Sequence, residues 1–142
     1  MSPVTDVRCG SADPELAGFL ADRINSFNVA KTGIVFGGSV TAAVRDDAGE
    51  VMAGVAGWVW GGTCWIESLW VREDRRGSGL GSRLLQVVTE EARTRSCTQI
   101  VLHTHSFQAP GFYRRHGFEV VGRADGYPAG HAFLLMRKDI AG

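Results

Sequence analysis

The chain has 142 residues, with 15 basic and 15 acidic side chains and a formal net charge of zero. That length suits one domain around one core, and the charge balance argues against the broad basic surface that nucleic-acid binding uses. No apolar run approaches membrane-spanning length and no basic-plus-apolar leader is evident. Cys9, Cys64 and Cys97 are an odd, scattered set without C-x-x-C spacing, which fits reduced, mostly buried thiols acting as small hydrophobes in a cytoplasmic protein.

Asp13-Pro14-Glu15 has the form of a helix start: a capping carboxylate, proline at the first helical position, and an acid in the first turn. Leu16, Phe19, Leu20, Ile24 and Phe27 follow at helical spacing, and Lys31-Thr32-Gly33 supplies an end. Ser39–Arg45 and Glu50–Trp60 are expected as a hairpin about the turn Asp46-Asp47-Ala48-Gly49. Gly61-Gly62 turns the chain into a further strand, Cys64–Val71, which makes this meander antiparallel.

A helical stripe then runs through Leu80, Leu84, Val87, Val88 and Ala92 to about Arg95. Ile100-Val101-Leu102 follows that crossover and should lie parallel to Cys64–Val71. A short helix is expected over Ala109–His116 and strands over Phe118–Arg123 and His131–Arg137, joined by a turn at Asp125–Gly130. The expected fold is α/β (α+β): a mixed, mostly antiparallel central sheet with helices on both faces, forming a single domain over 1–142.

The most informative segment is Arg75-Arg76-Gly77-Ser78-Gly79-Leu80-Gly81, between a strand and an amphipathic helix. Alternate glycines let backbone N–H groups converge on one point, and a helix start adds unpaired N–H groups and a positive end. Two arginines add fork-like donors. Together they form a seat for a pyrophosphate or similar polyanion. A dinucleotide-binding fingerprint belongs on the first strand of a parallel sheet, and a nucleotide-hydrolysing loop ends in Gly-Lys-Ser/Thr. This loop lies mid-chain after a meander and ends Gly79-Leu80-Gly81-Ser82, so both fit poorly.

The segment Arg76-Gly77-Ser78-Gly79-Leu80-Gly81 resembles the Arg/Gln-x-x-Gly-x-Gly/Ala signature of the GNAT superfamily of acyl-CoA-dependent N-acyltransferases. A second block, Ser106 through Phe118, is similar to that family's Asn-x-x-Ala-x-x-x-Tyr-x-x-x-Gly-Phe element, with Ser106 in place of the usual Asn. The resemblance covers Glu50 to Phe118 well. It implies a GNAT-like sheet whose Trp65–Val71 and Ile100–His103 strands splay apart to admit the arm of acetyl-CoA, used as co-substrate without a metal. Arg75, Arg76, Gly77, Ser78, Gly79, Leu80, Gly81 and Ser82 would surround the pyrophosphate. Leu69, Trp70 and Val71 would pair with the pantetheine arm like an added strand, with the Val71 N–H addressing the thioester carbonyl. Ser106, Ala109, Phe112 and Tyr113 would complete the cofactor site.

An amine must attack a thioester in its neutral form, which for an ordinary lysine-like group at pH 7 costs roughly 4–5 kcal/mol. The resemblance puts the Tyr113 hydroxyl beside the sulfur, as the acid for the departing thiolate. Glu67, an acid in the apolar strand Cys64–Val71, is the leading base, and alternation gives it the face of Leu69 and Val71. His103, His105 and His131 are alternative routes for that proton. The histidines lack a Cys or acid spaced to complete a metal site. Trp58, Trp60, Trp65 and Trp70 would line an acceptor pocket or pack a helix or second subunit.

No Cys or Ser occupies a nucleophile elbow, so direct attack is expected over a covalent acyl-enzyme. The activity expected is transfer of acetyl from acetyl-CoA to a primary amine of a small molecule, peptide or protein. Family habit and aromatic content point to a homodimer. The rival functions are a non-catalytic acyl-CoA-binding sensor and an interaction protein working through its tryptophans.

Overall fold

The computed structural model of the protein describes residues 6–141. They fall into two compact units, one ending at Val35 and one beginning at Phe36. The first holds helix α1, Pro14–Thr32. Asp13 caps it by accepting from the Leu16 N–H at 3.0 Å, proline occupies its first turn, and Gly33 ends it in the left-handed conformation with φ 73°. A cap of this kind contributes about 1 kcal/mol. No α1 side chain is buried within this unit.

The second unit is built on β1 (Ser39–Arg45), β2 (Val51–Trp60), β3 (Thr63–Val71), β4 (Gln99–His105), β5 (Glu119–Tyr127) and β6 (His131–Asp139). Helix α2 (Leu80–Thr94) joins β3 to β4, and α3 (Pro110–Arg115) joins β4 to β5. The strands form one sheet in the order β1-β2-β3-β4-β6-β5. Among the described residues only the β3–β4 pair is parallel, as a helical crossover demands. The fold is therefore the mixed, largely antiparallel α+β arrangement expected from the sequence.

One face of the sheet carries the core. Ala53, Val55 and Val59 of β2, Cys64 and Ile66 of β3, Ile100 and Leu102 of β4, and Leu134 and Met136 of β6 are buried there. Leu84, Leu85, Val88 and Ala92 of α2 pack into the same cluster, as do Tyr113 and Phe118 at α3. Burying one such Leu, Ile or Met is worth about 1.5–3 kcal/mol, so this cluster fixes how α2 and α3 meet the strands.

Strands β4 and β5 run further toward their C-terminal ends than the sequence pattern suggests, and β6 continues to Asp139. β4 continues to His105 because β6 still pairs with it there, through His105 opposite Phe133. β5 runs through Asp125 and Gly126 to Tyr127 by way of an irregularity in its pairing with β6. The expected turn at Asp125–Gly130 shrinks to Pro128–Gly130.

Candidate active site

The site originates in one extra residue. Ala56 pairs with Ser68 and Gly57 with Ile66, so Glu67 is the unpaired residue of a β-bulge in β3. Gly57 permits it: a Cβ there would lie 2.2 Å from the Trp65 carbonyl oxygen. An inserted residue reverses side-chain parity beyond it. Cys64 and Ile66 are buried before the bulge, and Leu69 and Val71 pack against that same core after it.

Glu67 consequently does not share the face of Leu69 and Val71, and the alternation expected from the sequence is corrected here. Its Oε1 accepts from the Trp58 indole N–H at 3.1 Å, and Trp58 is stacked on Trp65 on the other side of the sheet.

The same point ends the parallel ladder. β3 and β4 pair from Thr63 opposite Gln99 to Ile66 opposite Leu102 and no further. Beyond it, β3 stays with β2 while β4 stays with β6. The Arg72 N–H donates to the Met52 carbonyl at 2.7 Å, which sets the phase of the antiparallel ladder. Trp70 and Ser68 then turn their peptide groups toward β2, and Leu69 and Val71 turn theirs toward the side that β4 has left. On that side the Arg76 Nε donates to the Val71 carbonyl at 3.1 Å.

Past β3 the loop is held by Arg72, which donates to Asp74 at 2.6 Å and to Asp46 of the β1–β2 turn at 3.2 Å. Hydrogen bonds hold both carboxyls below their ordinary range, Asp46 chiefly through the Glu50 N–H and Asp74 chiefly through Arg72. Gly79 caps α2 in the left-handed conformation, φ 86°, so the helix begins with no side-chain cap and no acid in its first turn. Its N–H groups and positive end face a groove of about 640 Å3.

That groove is lined by Leu69, Trp70, Val71, Arg75, Arg76, Gly77, Gly79, Leu80, Gly81 and Ser82 on one side, and by Ala109, Phe112 and Tyr113 on the other. Two of the anticipated residues stand outside it. The Ser78 hydroxyl donates to the Arg75 carbonyl and braces the turn. The Ser106 hydroxyl accepts from the Ala132 N–H at 2.9 Å and bonds His131 Nδ1 at 3.0 Å, so it is committed to β6. Ser82 lines the groove while its hydroxyl bonds His116 Nε2 at 2.9 Å.

Phe107, Gln108 and Arg115 complete the wall and were not singled out from the sequence. Arg115 had a readable signal, because it stands three residues after Phe112 on one helical face. Gln108 had none, since its place depends on a tertiary turn.

A second cavity, about 290 Å3, opens where β3 and β4 separate. Glu67, His103 and His105 border it, and Leu69, Gln108, Ala109 and Tyr113 are common to both cavities. Tyr113 is 8% exposed and packs edge-on against Phe112 and Phe118. Burial pushes its hydroxyl pKa up, which keeps the proton on it at neutral pH. His131, the third histidine considered as a base, is tied to Ser106 and borders neither cavity.

Cys64 and Cys97 are buried free thiols. Burial pushes Cys64 up to about 11 and also raises Cys97, so neither supplies a thiolate. Among the described residues no three His, Cys, Asp or Glu side chains converge as a metal would require.

Residues 12–118 match the profile of the Acetyltransferase (GNAT) family. The chain is 37% identical to the blasticidin-S acetyltransferase of Streptomyces morookaense over 100 residues, covering 66% of this chain and 70% of that protein. It is 28% identical to an acetyltransferase of Agrobacterium fabrum over 127 residues, 89% of this chain and 93% of the other. A crystal structure of an acetyltransferase from Agrobacterium tumefaciens superposes with a TM-score of 0.88 at 27% identity, covering 96% of this chain and 99% of that one.

Proposed function

The chain belongs to the acetyltransferase (GNAT) family and is an acetyl-CoA-dependent N-acetyltransferase, and from that premise we propose how it works and on what. The acceptor is the primary amine of a small molecule. The observation that carries this proposal is the pair of cavities meeting at Leu69, Gln108, Ala109 and Tyr113. The larger has the glycine-lined, positively ended seat that a diphosphate needs, and the smaller suits a compact amine better than a folded protein. The blasticidin-S acetyltransferase among its relatives supports a small acceptor.

In this mechanism Arg75, Arg76 and the first-turn N–H groups of α2 hold the diphosphate. The outward peptide groups of Leu69 and Val71 bond the pantetheine arm as an added strand, and the Val71 N–H stabilises the oxyanion formed at the thioester carbonyl. The acceptor amine enters from the Glu67 side. Glu67, directly or through water, takes the proton the amine must lose, and His103 and His105 border the same cavity as alternative acceptors. As the carbon–sulfur bond breaks, Tyr113 gives its proton to the thiolate and regains one from solvent. The unavailability of Cys64 and Cys97 as thiolates supports direct attack over an acyl-enzyme.

The three free thiols support a reducing, cytoplasmic setting. Among the described residues no helix is long and apolar enough to cross a membrane. Half-buried Trp58, Trp65 and Phe133 on the sheet support a homodimer, which light scattering at micromolar concentration tests. The function itself is tested by calorimetry with acetyl-CoA and by thiol release across a panel of amino acids, aminated antibiotics, peptide N-termini and lysine peptides. Release with the small amines is the expected result. Tight acetyl-CoA binding without release from any amine would make the protein a sensor instead.

A further inference from the structure

The usual amide of the second motif is missing at Ser106, and the Ser106 hydroxyl is bound to Ala132 and His131. Two residues on, Gln108 closes a tight turn at the end of β4. Its N–H donates to the His105 carbonyl at 2.9 Å. Its Oε1 returns to accept from the His105 N–H at 2.6 Å and the Thr104 hydroxyl at 3.2 Å, with His105 Nδ1 also 3.2 Å away.

A peptide N–H can only donate, so the oxygen of the amide, and not its nitrogen, must face it. The amide is planar, and fixing its oxygen on the end of β4 turns its NH2 group away from that strand. No described residue accepts from Nε2. Yet Gln108 borders both cavities, beside Leu69, Ala109 and Tyr113. A glutamine that merely faced solvent would have no reason to gather three polar atoms of Thr104 and His105 on one oxygen. This one is oriented.

Resting on the groove as the seat of acetyl-CoA, we propose that Gln108 supplies the amide the motif lacks at Ser106. Its Nε2–H donates to the pantetheine amide carbonyl nearest the thioester and so holds the sulfur end of the arm at Tyr113. Gln108 touches the co-substrate and exchanges no proton. Its acceptor half shapes the turn and its donor half binds the ligand, so a single-atom change separates the two.

Gln108→Glu is that change: a carboxylate oxygen still accepts from the His105 N–H, while the donor becomes an acceptor facing a carbonyl. Titrations of acetyl-CoA and of adenosine 3′-phosphate 5′-diphosphate, the nucleotide half without its arm, are compared for the wild type and the variant. Acetyl-CoA affinity should fall roughly 10-fold or more, with the nucleotide half and the melting temperature unchanged. Wild-type affinity for acetyl-CoA in the variant would overturn the assignment. So would an equal loss for both ligands, which would place the effect in the fold. If the wild-type protein binds neither ligand, the groove as an acyl-CoA seat fails, and this inference fails with it.

Discussion

Removing the Tyr113 hydroxyl separates chemistry from stability. The ring of Tyr113 is part of the core, packed on Phe112 and Phe118, but its hydroxyl makes no hydrogen bond to a described residue. Tyr113→Phe keeps the ring and breaks no bond within the protein, so its effect on stability should lie within about 0.5 kcal/mol. The chemical effect follows from the leaving group. A thiol of ordinary pKa, about 8.5, that departs unprotonated at pH 7 forgoes about 1.5 pH units of protonation free energy, roughly 2 kcal/mol. That bounds the loss in kcat at about 30-fold near neutrality. It should shrink as pH approaches and passes about 8.5, where the thiolate leaves as readily alone. Thiol-release kinetics from pH 6.5 to 9, beside thermal melts, measure both. An unchanged kcat at pH 7, or a deficit that stays constant across that range, would refute the assignment of Tyr113 as the acid.

Replacing Arg76 with Ala removes a guanidinium from the groove and the bond from its Nε to Val71. Acetyl-CoA affinity should fall about 10-fold or more at low salt, and by less at high salt, with little change in melting temperature; calorimetry at two ionic strengths decides. Glu67→Gln leaves an oxygen for the Trp58 N–H but no base, so the acidic limb of the kcat/KM profile should flatten. An intact limb would pass the role to a histidine or to solvent. Gly57→Ala would force a methyl group to within 2.2 Å of the Trp65 carbonyl oxygen. The strands must separate or the bulge must move, at a cost of about 1–3 kcal/mol, read as a melting temperature lower by about 3–12 °C. A melt superimposable on wild type would mean the bulge is not held by Gly57.

Much of the site was legible because its parts are local. The loop from Arg75 to Gly81 announces itself by glycines where φ must be positive and by the amphipathic stripe that follows. Asp13, Pro14 and Gly33 bound α1 as their capping chemistry requires. Tyr113 and Phe112 stand in a motif whose helix is short and regular. Ser106 and Gln108 were harder, because what each side chain bonds is decided across the β4–β6 end of the sheet and by a turn, neither of which periodicity encodes.

Glu67 marks the boundary most clearly. Chain alternation alone puts it with Leu69 and Val71, and that inference fails because β3 carries one residue more than β2 opposite it. Whether a strand bulges depends on the partner that faces it, here Gly57, nine or ten residues away across a turn. The amino-acid order by itself determined the elements, the glycine-rich turn before α2 and the class of chemistry, since those rest on propensities and contacts within one helix or loop. Only the folded sheet decided where β3 and β4 part, which way Glu67 points, and which residues bound both cavities, because strand register is a property of pairs of segments and no single segment contains it.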